Sequence, residues 1–406
     1  MKRISILPIL ILLLFTACQK SVVEPYTIKF YGDARQDIGY SIAIASDGYI
    51  IAGQMELISR SNGYIIDSLS NKNLAVIKTD WDGNLKWKVT AGGEYDDTGS
   101  KIYQLSDGSM ICVGTLTDTT SSNRQKDVFA LKISSTGQVI WKKAYGGQGN
   151  QTGKDIAESS NGFVILGTTD VFVPPGIDSS GNASGKTDLY ILKISANGDS
   201  LDSYQRGFPG NEEAASIKND NDGFIVLGTT DYSRSNSGMA MNNLFLMRLN
   251  DTANVTGQVT IGTAADEYAS GIQVLQDGYL IAGTIGAPSA SQQALVVKVP
   301  RDINAAPIFR NTFTINNSPT AVNAIAPYSA GNFLLAGYIN ANPGLKMAIF
   351  EIGPDGNPVS GMTMINGSTG DQVANDVISG DDGYIIAVGR NTYDVNSMIS
   401  FLKFRF

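Results

Sequence analysis

The sequence predicts an all-β fold, a seven-bladed β-propeller of four-stranded antiparallel blades that is closed by the N-terminal strand joining the last blade. Three observations predict it. One turn-and-strand pattern recurs seven times, each copy contains four strand-like runs, and the two ends of the chain carry the partial blades that a closed ring requires.

The recurring pattern is a turn with glycine, then an aromatic or small residue, two or three aliphatic residues and a second glycine. Its first copy is Asp47-Gly48-Tyr49-Ile50-Ile51-Ala52-Gly53, and residues 277–283 nearly repeat it. The remaining copies begin at Asp107, Asn161, Asp222, Gly331 and Asp382. Successive copies lie roughly 50 to 60 residues apart, which is typical of propeller blades.

Each unit contains four short runs rich in β-branched and aromatic residues, which we name A to D. In the second unit they span residues 100–105, 110–115, 127–133 and 138–145. Clusters of Gly, Asn, Asp and Ser separate them, as expected for strands joined by turns. The A–B and C–D turns are tight and contain glycine, which accepts a positive φ without steric cost. The longer B–C and D–A loops then lie together on the opposite face, where recognition is usually found.

Both chain ends support closure of the ring. Residues 26–32 resemble a D strand and match residues 141–146, whereas residues 397–404 resemble a C strand with no D strand after it. Pairing these two segments would complete the seventh blade and leave no open edge. A small residue begins six A strands, which suits strands that converge on an axis: Gly39, Gly99, Gly153, Ala214, Ala269 and Ala374, with Val322 in the sixth unit. The aliphatic residues three positions later are expected to pack between blades: Ile42, Ile102, Ile156, Ile217, Ile272, Ile325 and Val377.

The first 17 residues have the order of an export signal, with a basic start at Lys2-Arg3 and an apolar run over residues 4–15. Phe15-Thr16-Ala17-Cys18 resembles a bacterial lipobox, in which cleavage precedes a cysteine that is then lipidated. The alternative is an ordinary signal peptide with an incidental cysteine. We expect a lipoprotein signal peptide over residues 1–17, a lipidated tether over 18–25 and the propeller over 26–406, with Cys18 as the membrane anchor. The second cysteine, Cys112, lies in an apolar run and is expected in the core.

Composition narrows the classes of function. The formal net charge is −8, and removing the leader with its two basic residues makes it −10. This acidity argues against nucleic acid as a partner. The chain has no histidine, which excludes Ser-His and Cys-His nucleophile pairs and zinc sites that need imidazole. We find no recognisable catalytic motif and name no catalytic residue.

Units that combine Asp-Gly-Asn, Trp-Lys, Tyr-Gly-Gly and Asp-Gly-Tyr-Ile-Ile-Ala-Gly resemble the β-propeller repeats of secreted bacterial and archaeal proteins. With the lipobox, the chain resembles propeller lipoproteins of the Bacteroidota. This resemblance implies a lipid-anchored protein of the outer membrane and leaves open whether it faces the periplasm or the cell surface. The spacing Gly83 to Trp87 and Gly137 to Trp141 also resembles quinoprotein dehydrogenases and an outer-membrane assembly scaffold.

The D–A loops carry polar residues that could form an acidic crown around the channel mouth. The ligand-binding candidates are Asp37, Asp96, Asp97, Glu212, Asp266, Glu267 and Asp371. Carboxylates at a channel mouth suit cations or hydroxyl-rich ligands such as glycans. The alternative is that each acid accepts backbone N–H bonds of its own loop. Beyond a cation at this mouth, we expect no cofactor or metal.

A second candidate surface is apolar where exposure is expected, over residues 170–177. The partner-binding candidates are Phe172, Pro174 and Ile177, extended by Tyr232 and Arg234 on the next long loop. Exposed apolar stretches often mark contact surfaces. The alternative is a loop that folds down over its own blade.

These features favour a cell-envelope lipoprotein that acts as a binding or scaffold module, recognising an outer-membrane protein or a glycan on the long-loop face. Two alternatives remain. One is an enzyme, either a carboxylate-based glycan hydrolase or a quinoprotein-like oxidoreductase, and the other is a purely structural envelope protein. A hydrolase needs two facing carboxylates roughly 5 to 9.5 Å apart, and the sequence pairs none.

Overall fold

The computed structural model describes residues 26–57, 60–61, 64–65, 71–117, 125–171, 187–232, 241–287, 291–367, 369–394 and 396–406. The proposed signal peptide, the tether and its Cys18 lie outside these ranges. So do Phe172, Pro174, Ile177 and Arg234 of the predicted partner surface.

Seven four-stranded antiparallel sheets form a ring, and the predicted seven-bladed β-propeller is confirmed. The strands of blades 1 to 3 are β2 (Ile38–Ala45), β3 (Gly48–Leu57), β6 (Asn71–Thr79), β7 (Leu85–Ala91), β8 (Thr98–Gln104), β9 (Met110–Thr117), β10 (Lys126–Ile133), β11 (Val139–Tyr145), β12 (Gln151–Ser159), β13 (Gly162–Thr169), β14 (Asp188–Ser195) and β15 (Ser200–Arg206). Two short strands, β4 (Arg60–Ser61) and β5 (Tyr64–Ile65), pair separately within the B–C loop of blade 1.

The strands of blades 4 to 6 are β16 (Glu212–Asp220), β17 (Gly223–Thr230), β18 (Asn243–Asn250), β19 (Val255–Ile261), β20 (Glu267–Leu275), β21 (Gly278–Ile285), β22 (Gln293–Pro300), β23 (Phe309–Phe313), β24 (Thr320–Pro327), β25 (Phe333–Asn340), β26 (Leu345–Ile352) and β27 (Pro358–Asn366). Blade 7 consists of β28 (Gln372–Ser379), β29 (Ile385–Tyr393), β30 (Asn396–Phe404) and the N-terminal strand β1 (Thr27–Arg35). A 3-10 turn at Ser329–Gly331 precedes β25. In the described ranges, no helix reaches the length and apolar character needed to cross a membrane.

Ring closure follows the predicted arrangement. Strand β1 pairs antiparallel with β30, from Thr27 opposite Lys403 to Tyr31 opposite Ile399. The Tyr31 hydroxyl then donates a hydrogen bond of 2.7 Å to the carbonyl of Gly83 in blade 1. The equivalent tyrosine of blade 2, Tyr145, donates to Gly198 of blade 3 at 2.6 Å. The first strand of the chain therefore makes both the intra-blade ladder and the inter-blade contact of an ordinary D strand.

The core lies between neighbouring blades. The seven predicted aliphatic residues of the A strands, from Ile42 to Val377, are all buried. Cys112 is a buried free thiol, and burial raises its pKa, so it packs as a core side chain. At the outer edge, Trp87 and Trp141 cover the C–D turn of the following blade. Gly137 in one of these turns has φ 88°, and a Cβ there would lie 2.8 Å from the Trp87 ring.

Threonines form a further contact between blades that the sequence analysis did not identify. In four blades, a threonine follows the second glycine of the B-strand pattern. Its hydroxyl oxygen accepts a hydrogen bond from the backbone N–H of the third residue of the next A strand. The pairs are Gly153 N to Thr115 Oγ1 at 3.3 Å, Ala214 N to Thr168 Oγ1 at 3.1 Å, Ala269 N to Thr229 Oγ1 at 2.9 Å and Val322 N to Thr284 Oγ1 at 3.0 Å. The recurrence of Gly-Thr in the aligned units was the available signal.

Candidate functional site

The inner crown position lies where the D–A loop meets the A strand. All seven side chains there are buried: Asp37, Asp97, Gln151, Glu212, Glu267, Thr320 and Gln372. Asp97 accepts backbone N–H bonds from Gly93 and Thr117, both at 2.7 Å, and Asp37 accepts one from Glu56 at 2.8 Å. These carboxylates fasten the D–A loop to the end of the B strand. Ligand binding by these carboxylates stays a prediction.

Glu212 and Glu267 are also used internally. Glu212 accepts hydrogen bonds from the Phe208 amide at 3.0 Å and the Thr230 hydroxyl at 2.6 Å. Burial, followed by the hydrogen bond and charge of Asp188, raises the pKa of Glu212 to about 8. Glu267 accepts a hydrogen bond from Thr263 at 2.7 Å and forms an ion pair with Arg310.

The outer crown position, which is the residue directly before the inner one, is less buried. Asp96 is exposed, and Asp266 and Asp371 are half-buried. Each accepts a backbone N–H from the start of the C strand, or the residue just before it, in the blade that precedes the loop. The bonds are from Lys72 to Asp96 at 3.1 Å, from Asn242 to Asp266 at 3.0 Å and from Leu345 to Asp371 at 2.8 Å. Ligand binding by these three acids stays a prediction. Within the described ranges, no three acidic or cysteine side chains group in a way that could hold a metal ion.

Tyr232 is the member of the predicted partner surface that the structure describes. Its half-buried ring stacks on buried Phe208, with ring centroids 6.0 Å apart and an interplanar angle of 17°. Phe208 packs in turn against Phe245 of blade 4. Tyr232 therefore lies against its own blade, and partner binding by this residue stays a prediction.

A cavity of about 540 Å³ occupies the centre of the ring and is lined by the A strands of all seven blades. Every A strand has a β-bulge at the same place, three residues after the inner crown position. The extra residue of each bulge lines the cavity: Tyr40, Ser100, Lys154, Ala215, Ser270, Asn323 and Asn375. The bulges thus place one additional side chain per blade in the channel.

On blades 5 to 7, the bulge side chains connect neighbouring blades. Each donates a hydrogen bond to a carbonyl near the start of the next A strand. The pairs are Ser270 Oγ to Val322 O at 2.5 Å, Asn323 Nδ2 to Ala374 O at 2.8 Å and Asn375 Nδ2 to Gly39 O at 2.9 Å. This side of the ring is fixed by its own contacts.

Two buried aspartates follow the bulges of blades 3 and 7. Asp376 accepts hydrogen bonds from the Ser41 hydroxyl at 3.0 Å and the Ile42 amide at 3.1 Å, and Lys101 Nζ lies 3.2 Å away. Asp376 therefore joins blade 7 to blade 1.

Asp155 makes equivalent contacts from blade 3 to blade 4. It accepts hydrogen bonds from Ser216 Oγ at 2.8 Å and the Ile217 amide at 2.9 Å, with Lys218 Nζ at 3.4 Å. Burial opposes ionisation of Asp155, but Lys218 and Lys101 outweigh it and hold its pKa below the usual value. Burial likewise opposes the charge of Lys101, and Asp376 and Asp155 outweigh it and raise its pKa. Asp155 and Lys101 therefore both favour their charged forms, and the four side chains follow one another along the channel wall in the order Asp376, Lys101, Asp155, Lys218.

The sequence analysis missed this channel site because it treated the A strands as core. The signal was present one and two residues after the small residue of each unit. Lys154-Asp155, Ser100-Lys101 and Asn375-Asp376 stand there, where an unbulged strand would turn one of the two side chains away from the axis.

No protein-family model matches the chain, and no curated protein matches it. Solved structures of similar shape exist. The extracellular domains 1–2 of Drosophila Semaphorin 1a match with 11% identity and a TM-score of 0.50, over 93% of this chain and 88% of that one. The GH93 α-L-arabinofuranosidase of Fusarium graminearum with arabinobiose matches with 10% identity and a TM-score of 0.49, over 94% and 97%. Sqt1 from Chaetomium thermophilum matches with 11% identity and a TM-score of 0.46, over 89% and 83%. At these identities the likeness concerns the fold alone.

Proposed function

We propose that the chain is a non-catalytic binding module of the bacterial cell envelope, anchored to the outer membrane through lipidated Cys18. Its ligand, a glycan or an outer-membrane protein, is recognised on the face that carries the B–C and D–A loops, including the channel mouth.

The observation that carries this proposal is the way the described loop bases are held. Buried crown residues bind the backbone of neighbouring strands, so that Asp97 joins its loop to Thr117 and Gly93. Asp96, Asp266 and Asp371 join the same loops to the C strands. A platform fixed in this way holds the bases of its variable loops in place, which favours binding.

The described carboxylates support binding over hydrolysis. Those at the inner crown are buried. Each of the two in the channel accepts a hydrogen bond from a backbone amide of the next blade and pairs with a lysine, which is on the next blade for Asp155 and on blade 2 for Asp376. A retaining or inverting hydrolase needs one carboxyl group free to protonate the leaving oxygen and a second free to act on the opposite face of the sugar. Asp155 and Asp376 are engaged in contacts between blades.

The test uses the lipidated protein and two variants. Metabolic labelling with palmitate should mark the wild type and leave Cys18→Ser unlabelled and released from the membrane fraction. The purified protein should bind a defined subset of an envelope glycan array or one outer-membrane protein. Replacing residues 172–186 by a short Gly-Ser linker tests one loop, with the same replacement of residues 118–124 as its control. Turnover of a chromogenic glycoside that is lost in Asp155→Asn would overturn the non-catalytic assignment.

A further inference from the structure

The channel contains one cation that the contacts between blades do not use. Lys154 is the bulge residue of blade 3; its side chain is exposed to the cavity and makes no hydrogen bond or ion pair with the described part of the chain. Its neighbour Asp155 is committed to Ser216, Ile217 and Lys218 of blade 4. Lys101 is committed to Asp376.

The charges therefore balance except at Lys154. Two buried carboxylates face three lysines, so the channel carries a net positive charge in a chain whose formal net charge is −8. A cation held between low-dielectric walls attracts an anion more strongly than the same group on an open surface.

The groups beside Lys154 suit a hydroxylated ligand. Ser100 occupies the bulge of the neighbouring blade, and Thr98 lines the same wall. Neither hydroxyl makes a hydrogen bond with the described residues, unlike the bulge side chains of blades 5 to 7. On the other side, Ala215 is the smallest bulge residue of the ring and leaves room next to the ammonium group. Blades 2 to 4 thus form a sector with available donors, opposite a sector whose donors are occupied.

We propose that this sector binds a small, hydroxyl-bearing organic anion of the sugar-acid class. The ligand carboxylate lies on Lys154 Nζ, and its hydroxyl groups lie on Ser100 and Thr98. A cavity of about 540 Å³ accommodates a ligand of one or two sugar rings. Lys154 stands at the fourth of nine positions in β12, nearer to the D–A loops than to the A–B turn, so the ligand enters from the long-loop face. This inference rests on the proposed binding function and names its ligand class.

The experiment is isothermal titration of the folded protein with glucuronate and with glucose, at low and high salt. Lys154→Ala removes the ammonium group and Lys154→Arg keeps a charge. Lys142→Ala is the matched control, because Lys142 is an exposed lysine on outer strand β11 that does not line the channel. We expect glucuronate to bind in preference to glucose, with affinity falling at high salt. Loss of the charge-assisted contact should weaken binding about tenfold in Lys154→Ala, with Lys154→Arg and Lys142→Ala close to the wild type.

Each other outcome overturns the proposal. Absence of glucuronate binding to the wild type, or equal affinity for Lys154→Ala and the wild type, removes the site. Binding of glucose equal to that of glucuronate removes the anion preference. Neutral glycans on the array that bind independently of Lys154 would refute this site and leave the proposed function intact, whereas failure of all glycans and envelope proteins would refute both. Matching melting temperatures show that the lysine variants fold.

Discussion

The buried carboxyl groups of Glu212 and Asp188 meet beneath Gly207, where an added Cβ would lie 2.3 Å from Glu212 Oε2 and 2.2 Å from Asp188 Oδ1. The equivalent positions in blades 1 and 2 place an amide opposite an acid, Asn73 beside Asp97 and Asp127 beside Gln151. The contact of blades 3 and 4 contains two acids where these earlier contacts contain one. Burial first, and the neighbouring carboxyl group of Asp188 in addition, disfavour ionisation of Glu212 and raise its pKa to about 8.

This pair predicts a pH-dependent stability that a single substitution removes. The folded-state pKa of Glu212, about 8, lies above its ordinary value of 4.5. The stability that protonated Glu212 gives the fold is therefore complete below about pH 4.5 and is lost as pH rises towards 8. Glu212→Gln keeps the shape of the side chain and removes its titrating group, so the variant should be more stable than the wild type at pH 8, by on the order of 2 kcal/mol. Urea unfolding at pH 5 and pH 8 measures this. The reciprocal Gln151→Glu should introduce the same pH dependence beside Asp127, and equal pH slopes for all three proteins would contradict the argument.

The tyrosine hydrogen bonds between blades predict equal losses of stability at the blade that closes the ring and at an ordinary blade. Tyr31→Phe and Tyr145→Phe each remove a buried hydroxyl that donates to a carbonyl of the next blade. Each should lower the free energy of unfolding by about 1 kcal/mol. Tyr393→Phe is the control, because that ring is 72% exposed. If only Tyr31→Phe matters, β1 is not an ordinary D strand.

The fold could be predicted from the sequence because glycine turns and aliphatic runs repeat with the blades. The β1–β30 seam followed from one partial repeat at each end. The channel could not be predicted, because whether Lys154 or Asp155 faces the axis depends on a bulge, and a shift of one residue reverses the face of every side chain. The crown acids lie in the D–A loops or, as Glu212 and Glu267 do, at the first residue of an A strand. Their burial could not be predicted, because it depends on contacts with the end of the B strand, such as the hydrogen bond from the Thr117 amide to Asp97.

The buried aspartates predict a large destabilisation when one partner is removed. Asp155→Ala leaves the Ile217 amide without its acceptor and Lys218 without its counter-ion. Loss of a buried charged partner typically costs about 3–5 kcal/mol. The low pKa of Asp155 adds that the wild type should lose this contribution only as pH falls below the ordinary value of 3.8. A double-mutant cycle of Asp155→Ala with Ser216→Ala, followed by chemical unfolding, should give coupling above about 0.5 kcal/mol; additive losses would contradict the contact.

The aromatic residues of the outer edge predict that two glycines with the same backbone conformation differ in tolerance. Gly137 and Gly383 have φ values of 88° and 80°, so alanine is strained at both. A Cβ at Gly137 would also lie 2.8 Å from the Trp87 ring, whereas nothing lies within 4 Å of one at Gly383. Both Gly→Ala variants should lose about 1 kcal/mol from the backbone term, and Gly137→Ala should lose about 1–3 kcal/mol more from overpacking. Thermal unfolding compares them, and combining Gly137→Ala with Trp87→Leu should recover the additional loss. Equal melting temperatures for the two alanine variants would show that the Trp87 ring moves aside with no loss of stability. That outcome would contradict the assignment of Trp87 as a packing contact between blades.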